Sequence, residues 1–297
     1  MSLLTRFGPL ATLVIVATTT SSFIAKGSPP QSSEGTVSTL TETLVGGASS
    51  ISIGEGGVMY VGTWSDRVYR ILPDGKAEVF AEGLQGTTGN AFDAHGDLLQ
   101  LNFFNNTISR IASDGKHETF AKGLAQPVGI VTTGDGFWVS NCESNTIARV
   151  GPDGEVSILA ESPLFNCPNG ISRASDGNLY VANFYDRRLL RVTPDGQVEP
   201  FANVPQDRNL VASYGTNLYI TSPLGRHVYR VDLKTGESFH VAGTGESQEK
   251  DGPGLEASFS APNGIAVSPD GRRLFISNVV AEAPAPGRFN IRVVTLP

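Results

Sequence analysis

Val68-Tyr-Arg-Ile-Leu-Pro-Asp-Gly75, Ile108-Ser-Arg-Ile-Ala-Ser-Asp-Gly115, Ile147-Ala-Arg-Val-Gly-Pro-Asp-Gly154 and Leu189-Leu-Arg-Val-Thr-Pro-Asp-Gly196 are four copies of one phrase. Each is a short apolar run with Arg at its third position, closed by Asp-Gly. Two looser copies follow, Val228-Tyr-Arg-Val231 with Thr235-Gly236, and Asn290-Ile-Arg-Val293. The arginines, Arg70, Arg110, Arg149, Arg191, Arg230 and Arg292, are spaced 40, 39, 42, 39 and 62 residues apart. Asp-Gly marks a tight hairpin, because the turn needs φ > 0 and glycine supplies it without a Cβ clash. The phrase is therefore a strand repeated six times and followed by a turn in the first five.

Working outward, each Arg strand is preceded by another β-type run: Met59-Tyr-Val61, Leu98-Leu-Gln-Leu101, Phe137-Trp-Val139, Leu179-Tyr-Val181, Leu218-Tyr-Ile220 and Leu274-Phe-Ile276. Earlier still comes a third, as in Gly129-Ile-Val131, Gly170-Ile171 and Gly264-Ile-Ala-Val267. Four short strands in about forty residues, separated by turn residues, are the signature of a propeller blade. The last Arg strand runs into Thr295-Leu-Pro297 with no outer strand after it, whereas Gly35-Thr-Val-Ser-Thr-Leu40 aligns with the outer strand of the first blade. The reading is an all-β, six-bladed β-propeller over residues 35–297, its last blade closed by the N-terminal strand.

Composition agrees. Of 297 residues 39% are hydrophobic, enough for a full core, and the 34 glycines and 18 prolines exclude a helical bundle. A net charge of −7 without a basic stripe excludes nucleic acid as a partner. Arg6 followed by the apolar run Pro9–Ala17 and small polar residues has the pattern of a signal peptide over residues 1–25. The run falls short of the roughly 20 residues a membrane span needs. Residues 26–34 read as a linker, so the expectation is a secreted or periplasmic protein with no stable span after processing, the alternative being an uncleaved N-terminal anchor. Two cysteines, Cys142 and Cys167, suit an oxidising compartment.

The segment Val241-Ala-Gly-Thr-Gly-Glu-Ser-Gln-Glu-Lys-Asp-Gly-Pro-Gly-Leu-Glu-Ala-Ser-Phe-Ser-Ala-Pro-Asn-Gly-Ile-Ala-Val267 resembles the long NHL repeat. The chain as a whole is similar to the regucalcin/gluconolactonase-like six-bladed superfamily. The resemblance implies an axial channel lined by the inner strands, with a mouth where the residue before each inner-strand glycine sits. Those positions are Ser49, Thr88, Val128, Asn169, Arg208 or Asn209, and Asn263, two of them within Pro-Asn-Gly-Ile. In lactonase-like relatives such asparagines hold a divalent metal, calcium, together with one Glu and one Asp. This chain has Ser49 in place of the Glu and Arg208 or Asn209 in place of the Asp, so no metal ligand is assigned. The bland alternative for both Asn-Gly pairs is a turn leading into the strand. Asn102, Asn141, Asn183 and Asn278 recur at the ends of second strands and read as shared turn caps. The repeated Arg reads as scaffold, its planar fork holding carbonyls or acidic groups between blades.

On the same face the loops between second and third strands carry Trp64, Phe103, Phe104, Phe184 and Tyr185, and the loop leading into the fourth blade carries Phe165. As a set they read as a surface for a partly apolar ligand. Cys142 and Cys167 fall on this face in adjacent blades, a placement that permits a disulfide across the rim. The loops Gly243–Ala261 and Val279–Gly287 of the sixth blade are longer than their counterparts and are expected to overhang the mouth. Glu143 and Glu282, and after them Asp207, are the candidate general bases, the bland alternative for all three being a solvated surface carboxylate. Two functions of different classes follow. One is a lactonase- or esterase-like hydrolase of a small molecule at the mouth. The other is a non-catalytic binding propeller for a protein or small ligand.

Overall fold

The computed structural model describes residues 35–186, 188–205, 210–280 and 287–297. Six antiparallel sheets follow one another along the chain, each strand hydrogen-bonded to the next. The first blade runs from the axis outward as Ile51–Ile53, Met59–Gly62, Val68–Ile71 and Ala77–Ala81. The inner strands of the next five are Thr87–Phe92, Pro127–Thr133, Pro168–Arg173, Val211–Tyr214 and Ala261–Val267. Successive inner strands touch one another all the way round, the sixth returning to the first. Lead-in loops and second-to-third loops share one face, and the Asp-Gly turns lie on the other.

The ring closes as the repeat alignment requires. Thr36–Thr39 pairs antiparallel with the C-terminal strand Arg288–Thr295, Thr36 opposite Thr295 and Thr39 opposite Arg292. The sixth sheet exceeds four strands, since Leu44–Val45 also pairs with Arg288–Thr295 and Gly252–Pro253 pairs outside Thr36–Thr39. Both ends of the chain's propeller therefore lie in one sheet, which leaves no open seam.

The core is made between blades. Leu99, Leu101 and Ile108 of the second blade pack on Ile130, Phe137 and Val139 of the third, and the pattern repeats around the ring. The Asp-Gly turns are packing devices as well. At Gly115 φ is +83°, and a Cβ there would stand 2.2 Å from the carbonyl oxygen of Phe80 in the preceding blade. Only glycine satisfies the dihedral and the close approach together.

The repeated arginines differ from the interblade clamp expected of them. Arg70 and Arg191 pair with Glu78 and Glu199 on the outer strands of their own blades, and Arg110 bonds Asp93 at 3.1 Å within its blade. The guanidiniums of Arg110 and Arg230 also lie over Phe120 and Phe239, 4.3 and 4.6 Å from the ring centroids. A side chain on a third strand reaches its cross-strand neighbour before it reaches the next blade, which is why the contact is local. Arg292 alone is fully buried, donating to Ser258 O at 2.9 Å, Lys250 O at 3.1 Å and Asp251 Oδ1 at 2.7 Å.

Asp251 in turn accepts from the backbone N–H and the hydroxyl of Thr39, both at 3.0 Å. The long loop leading into the sixth blade therefore runs along the outer edge, wedged between blades by Phe259, which is 0% exposed. Residues 251–253 of the loop are thereby tied to the outer strand, away from the axis. Its Glu249 is spent on Asn278 at 2.7 Å and Asn290 at 2.6 Å.

Candidate functional site at the axial mouth

Four of the six inner strands enter the propeller through a β-bulge. Pairing with the second strand skips between Thr87 and Asn90, Pro127 and Ile130, Pro168 and Ile171, and Pro262 and Gly264. The skipped residues include Thr88, Val128, Asn169 and Asn263, four of the positions picked out in the sequence. A bulge re-aims the side chain it carries, and bulges concentrate beside sites.

Neighbouring blades lock the bulges together through glycine and hydroxyl contacts. A Cβ on Gly62, Gly89, Gly129 or Gly264 would meet the carbonyl oxygen of Thr88, Val128, Asn169 or Ser49, at 2.7, 2.4, 2.6 and 1.9 Å. The Ser140 hydroxyl donates to Asn169 O at 2.6 Å, Thr221 to Asn263 O at 2.5 Å and Ser277 to Ser49 O at 2.6 Å. Ser49, Thr88, Val128, Asn169 and Asn263 are thus successive members of one ring around the axis. Arg208 and Asn209, expected on the same ring, lie outside the described residues, as do the candidate bases Asp207 and Glu282.

Their polar groups differ in what is left over. Thr88 is buried and its hydroxyl donates to Pro127 O at 2.8 Å. Ser49 is 1% exposed and Asn169 3%. Asn263 donates through Nδ2 to Ala48 O, while its Oδ1 is a buried acceptor with no hydrogen-bond partner. A buried amide oxygen left in this state costs about 1–3 kcal/mol, which a ligand donor would offset.

The caps behave as the repetition implied. Asn102, Asn141 and Asn278 accept through Oδ1 from the lead-in N–H groups of Gln85, Ala125 and Ala261 at 3.3, 3.1 and 3.1 Å. Asn183 instead donates to Leu164 O at 2.9 Å.

Aromatic side chains crown the face. Trp64, Phe103 and Phe104 form one edge-to-face group, with centroids 5.2 and 5.6 Å apart, and Phe184 and Tyr185 form another at 5.2 Å. Phe104 is 66% exposed and Tyr185 70%, while Trp64 and Phe103 are half-buried. Leu224 of the fifth blade, 80% exposed, belongs to the same crown and had no aromatic signature to betray it. Phe165 is buried in the core between blades three and four, so it packs and does not line the rim.

Glu143 is exposed on the third blade's loop beside Cys142, which is bonded to Cys167. Of the described histidines none lies on an inner strand. His240 packs on His227 with centroids 4.6 Å apart, and burial pushes the His240 pKa below the ordinary imidazole range. Among the described residues no three His, Cys, Asp or Glu side chains gather as a metal site. No helix among them is long and apolar enough to cross a membrane.

With that geometry in hand the chain can be set beside known proteins. No family model matches it. Over 146 residues, 49% of this chain and 47% of the relative, it is 30% identical to virginiamycin B lyase of Nocardia farcinica. It thus matches about half the length of that curated relative. A gluconolactonase from Xanthomonas campestris superposes with a TM-score of 0.71 at 18% identity, covering 92% of this chain and 96% of the other. A catalytically inactive histidine-to-alanine variant of virginiamycin B lyase from Staphylococcus aureus, solved with quinupristin, gives 0.61 at 19%, covering 84% and 80%. The chain is a six-bladed β-propeller whose structural neighbours are gluconolactonase-like and virginiamycin B lyase propellers.

Proposed function

We propose that the protein is an exported lactonase- or esterase-like hydrolase whose site is the axial mouth. The observation that carries this reading is the ring of bulged inner-strand residues. Asn169 and Asn263 share the same bulged position and Asn263 Oδ1 is available to a donor, which supports a site at their level beneath the aromatic crown. The gluconolactonase and lyase neighbours support it as company for the fold. Asn263 would accept a hydroxyl or N–H of the substrate, Asn169 would orient the ester carbonyl, and Glu143 would activate the attacking water. The crown favours a molecule with an apolar or aromatic part over a bare sugar lactone.

Calcium, which the resemblance implies, wants several oxygen donors, usually with carboxylates among them. The described ring positions supply Ser49, Thr88, Asn169 and Asn263 and no carboxylate. The donor set does not fit the ion, and no step is routed through it.

A panel of lactones and aryl esters, assayed with and without divalent ions, tests the reading. Turnover is expected from the wild type, with Glu143→Gln lowering kcat by about 10²-fold or more while circular dichroism is unchanged. A wild type that turns over no lactone or ester would overturn it.

A second reading, a non-catalytic binding propeller, is favoured by the exposure of Phe104 and Tyr185. In that case an apolar dye binds the wild type, Phe104→Ala and Tyr185→Ala weaken it, and no ester is cleaved.

A further inference from the structure

The second, third and fourth blades repeat one junction between a second-to-third loop and the lead-in loop beside it. In the second blade Phe103 N–H donates to Gly86 O at 2.9 Å and Phe104 N–H to Gln85 O at 3.2 Å. In the third blade Cys142 N–H donates to Gln126 O at 3.1 Å and Glu143 N–H to Ala125 O at 3.3 Å. In the fourth, Phe184 N–H donates to Cys167 O at 2.9 Å and Tyr185 N–H to Asn166 O at 3.4 Å. Gly86, Gln126 and Cys167 occupy the same place, and all three are left-handed, with φ of +71°, +50° and +54°.

A side-chain clamp repeats too. Asn106, itself at φ +61°, accepts from Gln126 N–H at 2.7 Å, and Asn145, at φ +55°, accepts from Cys167 N–H at 2.7 Å. Hydrogen bonds alone therefore build this junction at Gln126. At Cys167 the same bonds are present and the disulfide to Cys142 is added on top of them. The bridge is surplus to the construction of the loop.

What it ties together is the mouth. Cys142 precedes Glu143, Cys167 precedes Pro168 and the bulged Asn169, and the Cys167 carbonyl holds Phe184. We infer that the Cys142–Cys167 bridge, with Asn145, is a redox-dependent positioning element of the mouth and not part of the propeller's scaffold. Its consequence for function rests on the mouth being the site. Reduction frees Glu143, Asn169 and the Phe184–Tyr185 pair to move while the strands below keep their pairing. The chemistry is that of thiol exchange with a dithiol. A thiolate attacks Sγ of Cys142, the half-exposed partner, the S–S bond breaks, and Cys167 leaves as thiolate and takes up a proton. The second thiol of the reductant then releases Cys142 as a thiol and departs as a cyclic disulfide.

The test needs no substrate. Hydrogen exchange of the full chain is followed by mass spectrometry in the oxidised protein, after dithiothreitol, and after reoxidation with glutathione disulfide. The double variant Cys142→Ser/Cys167→Ser serves as a permanently open reference. Expected is a rise of about tenfold or more in exchange over residues 142–146, 162–169 and 184–186 on reduction. Strands 188–192 and 147–150 should be unchanged, and reoxidation should reverse the rise. Exchange that does not change on reduction would overturn the proposal, as would a rise that spreads into those strands. If a lactone substrate is in hand, reduction should lower kcat, through Glu143, and raise KM, through Phe184 and Tyr185. Absence of any turnover would sink the hydrolase reading and leave the exchange result standing.

Discussion

At the scale of single residues the repeat is most informative where one copy departs from the others. Five blades pair an aliphatic residue on the inner strand with one on the second: Ile51 with Val61, Ile130 with Val139, Ile171 with Val181, Val211 with Ile220, Ile265 with Ile276. The second blade puts Asn90 opposite Gln100. Both are buried; Asn90 Nδ2 donates to Gln100 Oε1 at 3.2 Å and to Tyr60 O at 3.3 Å, and Asn90 Oδ1 has no partner. Asn90→Ile alone strips the Gln100 amide of an interaction in a dry place and should cost about 1–3 kcal/mol. Asn90→Ile with Gln100→Val restores the aliphatic pair and should be neutral or stabilising. Urea denaturation of the three proteins measures both, and a double variant weaker than the single would contradict the account. Gly115→Ala is the steric counterpart. The clash with Phe80 O and the positive φ together should destabilise by about 2 kcal/mol or more, read from the same curves.

At the scale of the element, the N-terminal strand is held by more than its ladder. Thr39, Asp251 and Arg292 join the first strand, the sixth blade's lead-in loop and the C-terminal strand in one contact. Arg292 is wholly buried while Asp251 is half exposed, so the pair is worth more than a surface ion pair and less than an enclosed one. Asp251→Ala is expected to cost about 1–3 kcal/mol and to raise hydrogen exchange at Thr36–Thr39 ahead of the other outer strands. Uniform loosening of all six blades would show that the contact is not local to the closure. The paired strands, the turns and the closing alignment were legible in the sequence because each depends on residues adjacent along the chain. The outer-edge course of residues 251–253 was not, since loop length says nothing about which surface will receive Phe259 or that Arg292 will hold Lys250, Asp251 and Ser258.

At the scale of the whole molecule, pH should act through His240. Burial holds its pKa down, so as pH falls the unfolded chain takes up that proton before the native state does. The stability associated with the neutral ring is therefore complete above the ordinary imidazole value of about 6.5 and is lost as pH drops below it. Thermal melts between pH 7.5 and 5 should show a smaller fall for His240→Phe than for the wild type. Equal slopes would remove His240 from the account. Carboxylates act at lower pH with the same sign. Burial works against the charge on Asp176, but hydrogen bonds from Asn178 and Tyr180 outweigh it and hold the pKa below its usual value. Its contribution is present above about pH 4 and is lost as pH falls further.

The sequence by itself determined the architecture: six blades, their strands and turns, and the strand that closes the ring. Those features follow from local periodicity repeated at a fixed spacing, and a ring of like units has one way to close. Only the tertiary structure decided which polar atoms are spent. That Asn263 Nδ2 serves Ala48, that Thr88 serves Pro127 and that Glu249 serves Asn278 and Asn290 are facts about neighbours far apart in the chain. The same is true of the bulges that place Asn169 and Asn263 on one ring. A bulge is a mismatch between two strands, and neither strand carries it alone.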